Sequence, residues 1–195
     1  RFGLSAVKSL GRPTIKAIID ERNKSRFTSM QDFISRLYTD LNKRTLENLI
    51  KSGAFDTFGN NRRQMMSVYA RMLDNEAKQG KDAISGQMSL FDLVDESEKS
   101  QFEIKMPDVS EYTKEDILAF EKEVLGVYVS GHPLDEYAAM WKKHISAMST
   151  DFELDDETGE PKVKVDSKAT IGGMIMAKSV KPTKTGQLMA YLTIE

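Results

Sequence analysis

Helix start and stop signals recur so closely through the first eighty of this chain's 195 residues that little except short helices fits there. Arg12-Pro13 puts proline in a first helical turn, where its missing N–H costs nothing. Ile15, Ile18 and Ile19 then give that helix an apolar face. Thr28 with Gln31 fits a capping box ahead of the short run QDFISRLY. Asn42 is the cap of the next helix, with Leu46, Leu49 and Ile50 as its buried stripe and Gly53 following as the residue that ends it. After the turn Phe58-Gly59-Asn60-Asn61, the period of Met65, Val68, Tyr69, Met72 and Leu73 predicts a long helix over 62–79. Four or five helices with brief connections make a small all-helical module over 1–81.

From Gly80 to Thr113 the periodicity disappears, and residues 82–112 read as a linker with one apolar cluster between Ile84 and Val94. Thr113, with early acids behind it, opens a helix through Ile117, Leu118, Phe120, Val124 and Leu125 to Gly126. A turn at Ser130-Gly131-His132-Pro133 leads to a last helix around 134–148, which makes 113–150 a helical connector. Beyond the acidic loop 151–160, Thr170–Val180 and Leu188–Ile194 read as two strands joined by KPTKTGQ. Two strands alone are marginal in water, so 166–195 is expected to be the start of a larger β domain.

Charge separates along the same divisions. Residues 1–81 hold 16 Lys/Arg against 8 Asp/Glu, 82–160 hold 6 against 20, and 161–195 hold 6 against 2, so a net −2 hides basic, acidic and basic blocks. The basic blocks suit a polyanion and the acidic one does not. With no Cys there is no disulfide framework or thiolate metal site, and two His make a His-rich metal site a poor expectation. No apolar stretch is long enough to span a bilayer and the N-terminus has no signal-peptide pattern, so a cytoplasmic protein with no membrane partner is expected. The first residue is Arg, not Met, which reads as a piece of something longer.

Three segments carry the functional expectations. Leu4-x-x-Val7-x-x-Leu10-Gly11-Arg12-Pro13-x-Ile15-x-x-Ile18 resembles a helix-hairpin-helix, in which backbone N–H groups at a helix N-terminus hold a DNA phosphate. Ser9, Leu10 and Gly11 occupy the hairpin, with Ser9 where the motif usually has its first glycine. A second hairpin is expected at Ser52-Gly53-Ala54-Phe55, with Gly53 and Ala54 against phosphate and Arg12, Lys16, Arg62 and Arg63 adding charge. Paired hairpins would grip a duplex without reading bases; the plainer alternative is two ordinary helical turns with solvated basic faces. Gln87, Met88, Ser89, Leu90 and Phe91 resemble the peptide by which bacterial polymerases and repair proteins dock on the β sliding clamp, although these side chains could instead fold back onto the helices. Glu121, Glu123 and His132 tempt an active-site reading. Two Glu two residues apart on a helix face different ways, however, and no triad or metal partner accompanies them, so Gly126 and Gly131-His132-Pro133 read as a helix end and a turn.

The run EKEVLGVYVSGHPLDEY, together with LENLIKSGAFD, RFGLSAVKSLG and KPTKTGQLMAYLTIE in the same order, resembles the alpha subunit of bacterial replicative DNA polymerase III. The resemblance implies a mainly α fold: a tandem helix-hairpin-helix module, a clamp peptide, linker helices, and the first strands of an incomplete OB-type β domain. The implied partners are duplex DNA, the β sliding clamp, other subunits of the holoenzyme, and single-stranded DNA through the complete OB domain. Lys178, Lys181, Lys184 and Tyr191 resemble the single-strand-binding surface of such a domain. Nucleotidyl transfer needs carboxylates holding two metal ions, and no triplet of acids here has that setting. The resemblance places the catalytic aspartates and their Mg²⁺ upstream, in the palm, so this piece is expected to be non-catalytic and to carry no cofactor. A clamp-associated hairpin-containing repair protein and a purely structural module are the alternatives.

Overall fold

Pro13 stands in the first turn of α1 (Arg12–Lys24), and Ile18 is that helix's fully buried residue. The computed structural model describes residues 3–84, 104–156 and 158–195. They divide into two units, Arg1–Gly131 and His132–Glu195. The first is helical, and the second carries a two-stranded antiparallel sheet.

In the first unit the cap of α2 (Met30–Leu37) lies one residue later than the sequence suggests, and the helix begins one residue before the run QDFISRLY. Ser29, not Thr28, is its cap, accepting the Asp32 N–H at 3.0 Å, while the Asp32 carboxylate accepts the Thr28 N–H at 2.9 Å. An anionic Asp in the first turn suits the positive end of the helix dipole. Gln31 is left to donate to Glu76 at 2.6 Å. α3 (Lys43–Lys51) has the expected cap, Asn42, whose side chain accepts the Thr45 N–H at 2.9 Å. α4 (Arg62–Ile84) runs past Gly80, which the sequence marks as an end. Gly80 is there for close approach, because a Cβ at that position would collide with the Tyr38 ring.

These helices share one core. Met30, Ile34 and Leu37 of α2, Leu46, Leu49 and Ile50 of α3, and Met65 of α4 are almost wholly buried, and Val7, Leu10 and Ile18 close it from the N-terminal side. α5 (Lys114–Leu125) begins at the predicted cap Thr113 and ends at Gly126 in the left-handed region. It packs on α3, with Leu118 and Val124 buried and Lys51 paired to Glu123 at 3.0 Å. The unit boundary at Gly131 therefore falls inside the stretch 113–150 that the sequence reads as a single connector, and α5 belongs with the first unit.

In the second unit the helix expected over 134–148 is a 3₁₀ turn, Asp135–Tyr137, followed by a short α6 (Ala138–His144). Ser146 and Ala147 leave the helix to bond the Thr170 carbonyl, which explains the early stop. β1 (Ile175–Pro182) pairs antiparallel with β2 (Leu188–Ile194), with a bulge between Ile175 and Ala177. The first strand starts later than Thr170 and ends two residues beyond Val180. Among the described residues no helix is long and apolar enough to cross a membrane.

Candidate nucleic-acid interface

A 3₁₀ turn, Leu4–Ala6, enters the first hairpin, and Val7 and Leu10 anchor it to the core. Between them Ser9 has φ +63°, the left-handed conformation that a glycine adopts freely and an L-residue adopts at a cost. The chain therefore makes the turn that the motif wants in spite of the serine. Gly11 follows as the N-cap of α1 and supplies no capping side chain, Pro13 has no N–H, and no acid lies in the first turn. Among the described residues this leaves the positive end of a 13-residue helix without a side-chain cap, the arrangement that favours an anion. Ser9, Gly11, Arg12 and Lys16 are exposed, with Lys16 paired to Asp20, while the Leu10 side chain is buried as an apolar anchor.

The second expected hairpin is closed. The Gly53 and Ala54 N–H groups donate to the Ile50 and Leu49 carbonyls at 3.0 and 3.1 Å, finishing α3. Gly53 has φ +76°, and a Cβ there would strike the Arg62 guanidinium and the Asp56 carboxylate, so its bareness serves an internal ion pair and not a phosphate. Arg62 is 5% exposed. It bonds Asp56 at 2.7 Å, Glu121 at 3.2 Å and the Lys51 carbonyl at 3.1 Å, and has no free face for DNA. The N-terminus of α4 is filled as well. The Glu111 carboxylate accepts the N–H groups of Arg62 and Arg63 at 2.8 and 3.1 Å, where a phosphate would sit. Of the second group Ala54 and Arg63 are exposed, the Arg63 guanidinium lying 5.8 Å from the Tyr112 ring centroid.

In the sheet the register puts Lys181 and Tyr191 on one face, with the ammonium 5.9 Å from the ring centroid. Lys178 lies opposite Leu192 on the other face, and Lys184 is in the tight turn between the strands. All four are exposed, but only Lys181 and Tyr191 are brought together. Gln87, Met88, Ser89, Leu90 and Phe91 lie outside the described residues. Among the described residues no three metal-ligating side chains converge, so none is assigned to hold Mg²⁺.

Residues 1–65 match the family described as "Helix-hairpin-helix motif". Across all of its length the chain is 35% identical, over 197 aligned residues, to 16% of the DNA polymerase III subunit alpha of Borreliella burgdorferi. The chain is homologous to a segment of DNA polymerase III subunit alpha. The subunit of Mycobacterium leprae is 34% identical over 188 residues, 95% of this chain and 15% of that protein. That of Helicobacter pylori strain J99 is 40% identical over 139 residues, 70% of this chain and 12% of that protein. The chain thus spans roughly 12–16% of the length of these relatives.

Within this polymerase-alpha homologue, Glu121 is the residue whose role sequence reasoning missed. It is fully buried. One carboxylate oxygen accepts the N–H groups of Val129 and Ser130 at 2.7 and 2.8 Å, and the other takes the Ser130 hydroxyl and Arg62. Burial pushes its pKa up, but the Ser130 hydroxyl, the Ser130 and Val129 amides and the Arg62 guanidinium outweigh that and hold it below the ordinary glutamate range. It ties the loop ending α3, the start of α4 and the turn after α5 into one piece. The available signal was a Glu on the apolar face of α5, between Leu118 and Val124.

Proposed function

We propose that this chain is a DNA-binding and clamp-binding region of a DNA polymerase III alpha subunit, serving processive replication with the nucleotidyl-transfer site elsewhere in the subunit. It holds duplex DNA through phosphates at the Ser9–Arg12 hairpin, helped by Arg12, Lys16 and Arg63. It engages the β sliding clamp through Gln87–Phe91, and the β1–β2 hairpin opens an OB-type domain whose Lys181–Tyr191 pair meets single strands. Supporting the DNA role is one observation above the rest: the left-handed Ser9 turn delivers an uncapped helix N-terminus inside the region that matches the helix-hairpin-helix family.

With the second hairpin closed, few phosphates are neutralised. Log affinity for a duplex should fall with log salt at a slope of roughly −2 to −3, at about −0.9 per phosphate. Fluorescence anisotropy with two unrelated duplexes over a salt series measures it. A slope near zero, or a strong preference for one sequence, would sink the assignment and favour a structural module.

A further inference from the structure

Two polar side chains on α3, Thr45 and Asn48, are buried to 2% and 7% exposure against the back of the hairpin. The Asn48 amide donates to the Lys8 carbonyl at 2.7 Å, and the Thr45 hydroxyl donates to the Ser9 carbonyl at 3.4 Å. From the other side, the Lys8 N–H donates to the Val124 carbonyl at 2.9 Å. Three bonds thus hold three consecutive peptide groups, 7–8, 8–9 and 9–10, and Ser9, the residue between the last two, is the one at φ +63°.

The geometry points to Asn48 and Thr45 as positioning residues for phosphate binding; this rests on the reading of the hairpin given above. The reason lies in peptide planarity. In a trans peptide the C=O and the following N–H point in opposite directions. Pinning the Lys8 carbonyl inward onto Asn48 therefore turns the Ser9 N–H outward, away from α3. A serine left to itself would leave the left-handed region and carry that N–H with it. Asn48 and Thr45 do for this hairpin what a glycine at position 9 would do: they keep the turn left-handed.

The test uses the full 195-residue chain. Asn48→Ala should weaken duplex binding roughly 5- to 10-fold, the value of about one amide–phosphate contact. The salt slope should become shallower by about 0.9, because a phosphate contact is lost and not merely strained. Thr45→Val, nearly isosteric, should act in the same direction more weakly, and Thr45→Ser, which keeps the hydroxyl, should behave as the parent. The decisive arm is Ser9→Gly combined with Asn48→Ala: glycine holds φ +63° unaided, so affinity and slope should return even if the melting temperature does not. A loss arising only from a weakened fold would not be repaired in that way. If Asn48→Ala binds as the parent does with an unchanged slope, the positioning role is wrong while the hairpin reading stands. Should Asn48→Ala fail to fold, Thr45→Val with and without Ser9→Gly decides the question alone, and no rescue there also refutes it. If the parent shows no salt-dependent duplex binding, both readings fall together.

Discussion

Removing the Glu121 carboxylate should be among the most damaging single changes available in the first unit. In the folded chain it accepts from two backbone amides, the Ser130 hydroxyl and Arg62. Glu121→Ala leaves a nearly buried guanidinium with Asp56 as its remaining carboxylate and two amides without an acceptor. Breaking a buried pair in this way typically costs about 3–5 kcal/mol. For a unit of this size that corresponds to a fall of roughly 10–20 °C in melting temperature. Glu121→Gln separates charge from shape: it keeps an acceptor for the amides and loses the charge-assisted bonds, for about 1.5–3 kcal/mol. Urea unfolding followed by circular dichroism at the helical wavelength measures both. The pH dependence adds a check. Because the folded carboxyl titrates below its unfolded value near 4.5, its contribution is complete above that pH and disappears as pH falls through the depressed folded value. The parent and Glu121→Gln should therefore converge in stability toward acid pH. An Ala variant within 1 kcal/mol of the parent at neutral pH, or a parent–Gln gap that is constant with pH, would refute the account.

Other outcomes follow from the same contacts. Gly80→Ala, which by helix propensity alone should stabilise α4 by about 1 kcal/mol, should instead cost about 1–3 kcal/mol because of the Tyr38 ring, and the sign should reverse in a Tyr38→Ala background. Ser9→Gly alone should raise stability by about 0.5–1 kcal/mol, since relief of the left-handed strain exceeds the added backbone entropy; thermal melting tests it. Leu90→Ala with Phe91→Ala should abolish clamp capture in calorimetry, where the parent binds at about the micromolar level, and leave the melting temperature unchanged; a lower melting temperature with retained binding would make these residues core.

Elements whose signals are local were legible in residue type and spacing alone. Asn42 and Thr113 cap the helices predicted for them, Pro13 opens α1, Gly53 and Gly126 end α3 and α5, and the apolar stripes predicted for α3 and α4 pack into the core. Each of these depends on partners within about four residues, a range that spacing and residue type describe completely. Where the local signal was ambiguous, at Thr28 against Ser29 and at Gly80, packing decided: Gln31 had a partner on α4, and Tyr38 needed the space. The functional surface was less legible because basic residues look alike in a sequence. Arg62 and Arg63 are adjacent, yet one is buried between Asp56 and Glu121 and the other is exposed, and Glu121, the carboxylate that completes the burial of Arg62, arrives from α5, 59 residues away. Asn48 likewise reads as a polar helix residue until α3 is laid behind the hairpin, 40 residues from the carbonyl that it holds. Only the tertiary fold decides which charges are desolvated and which peptide groups are pinned, because the cost of burying a charge and the direction of a peptide plane are set by what surrounds them.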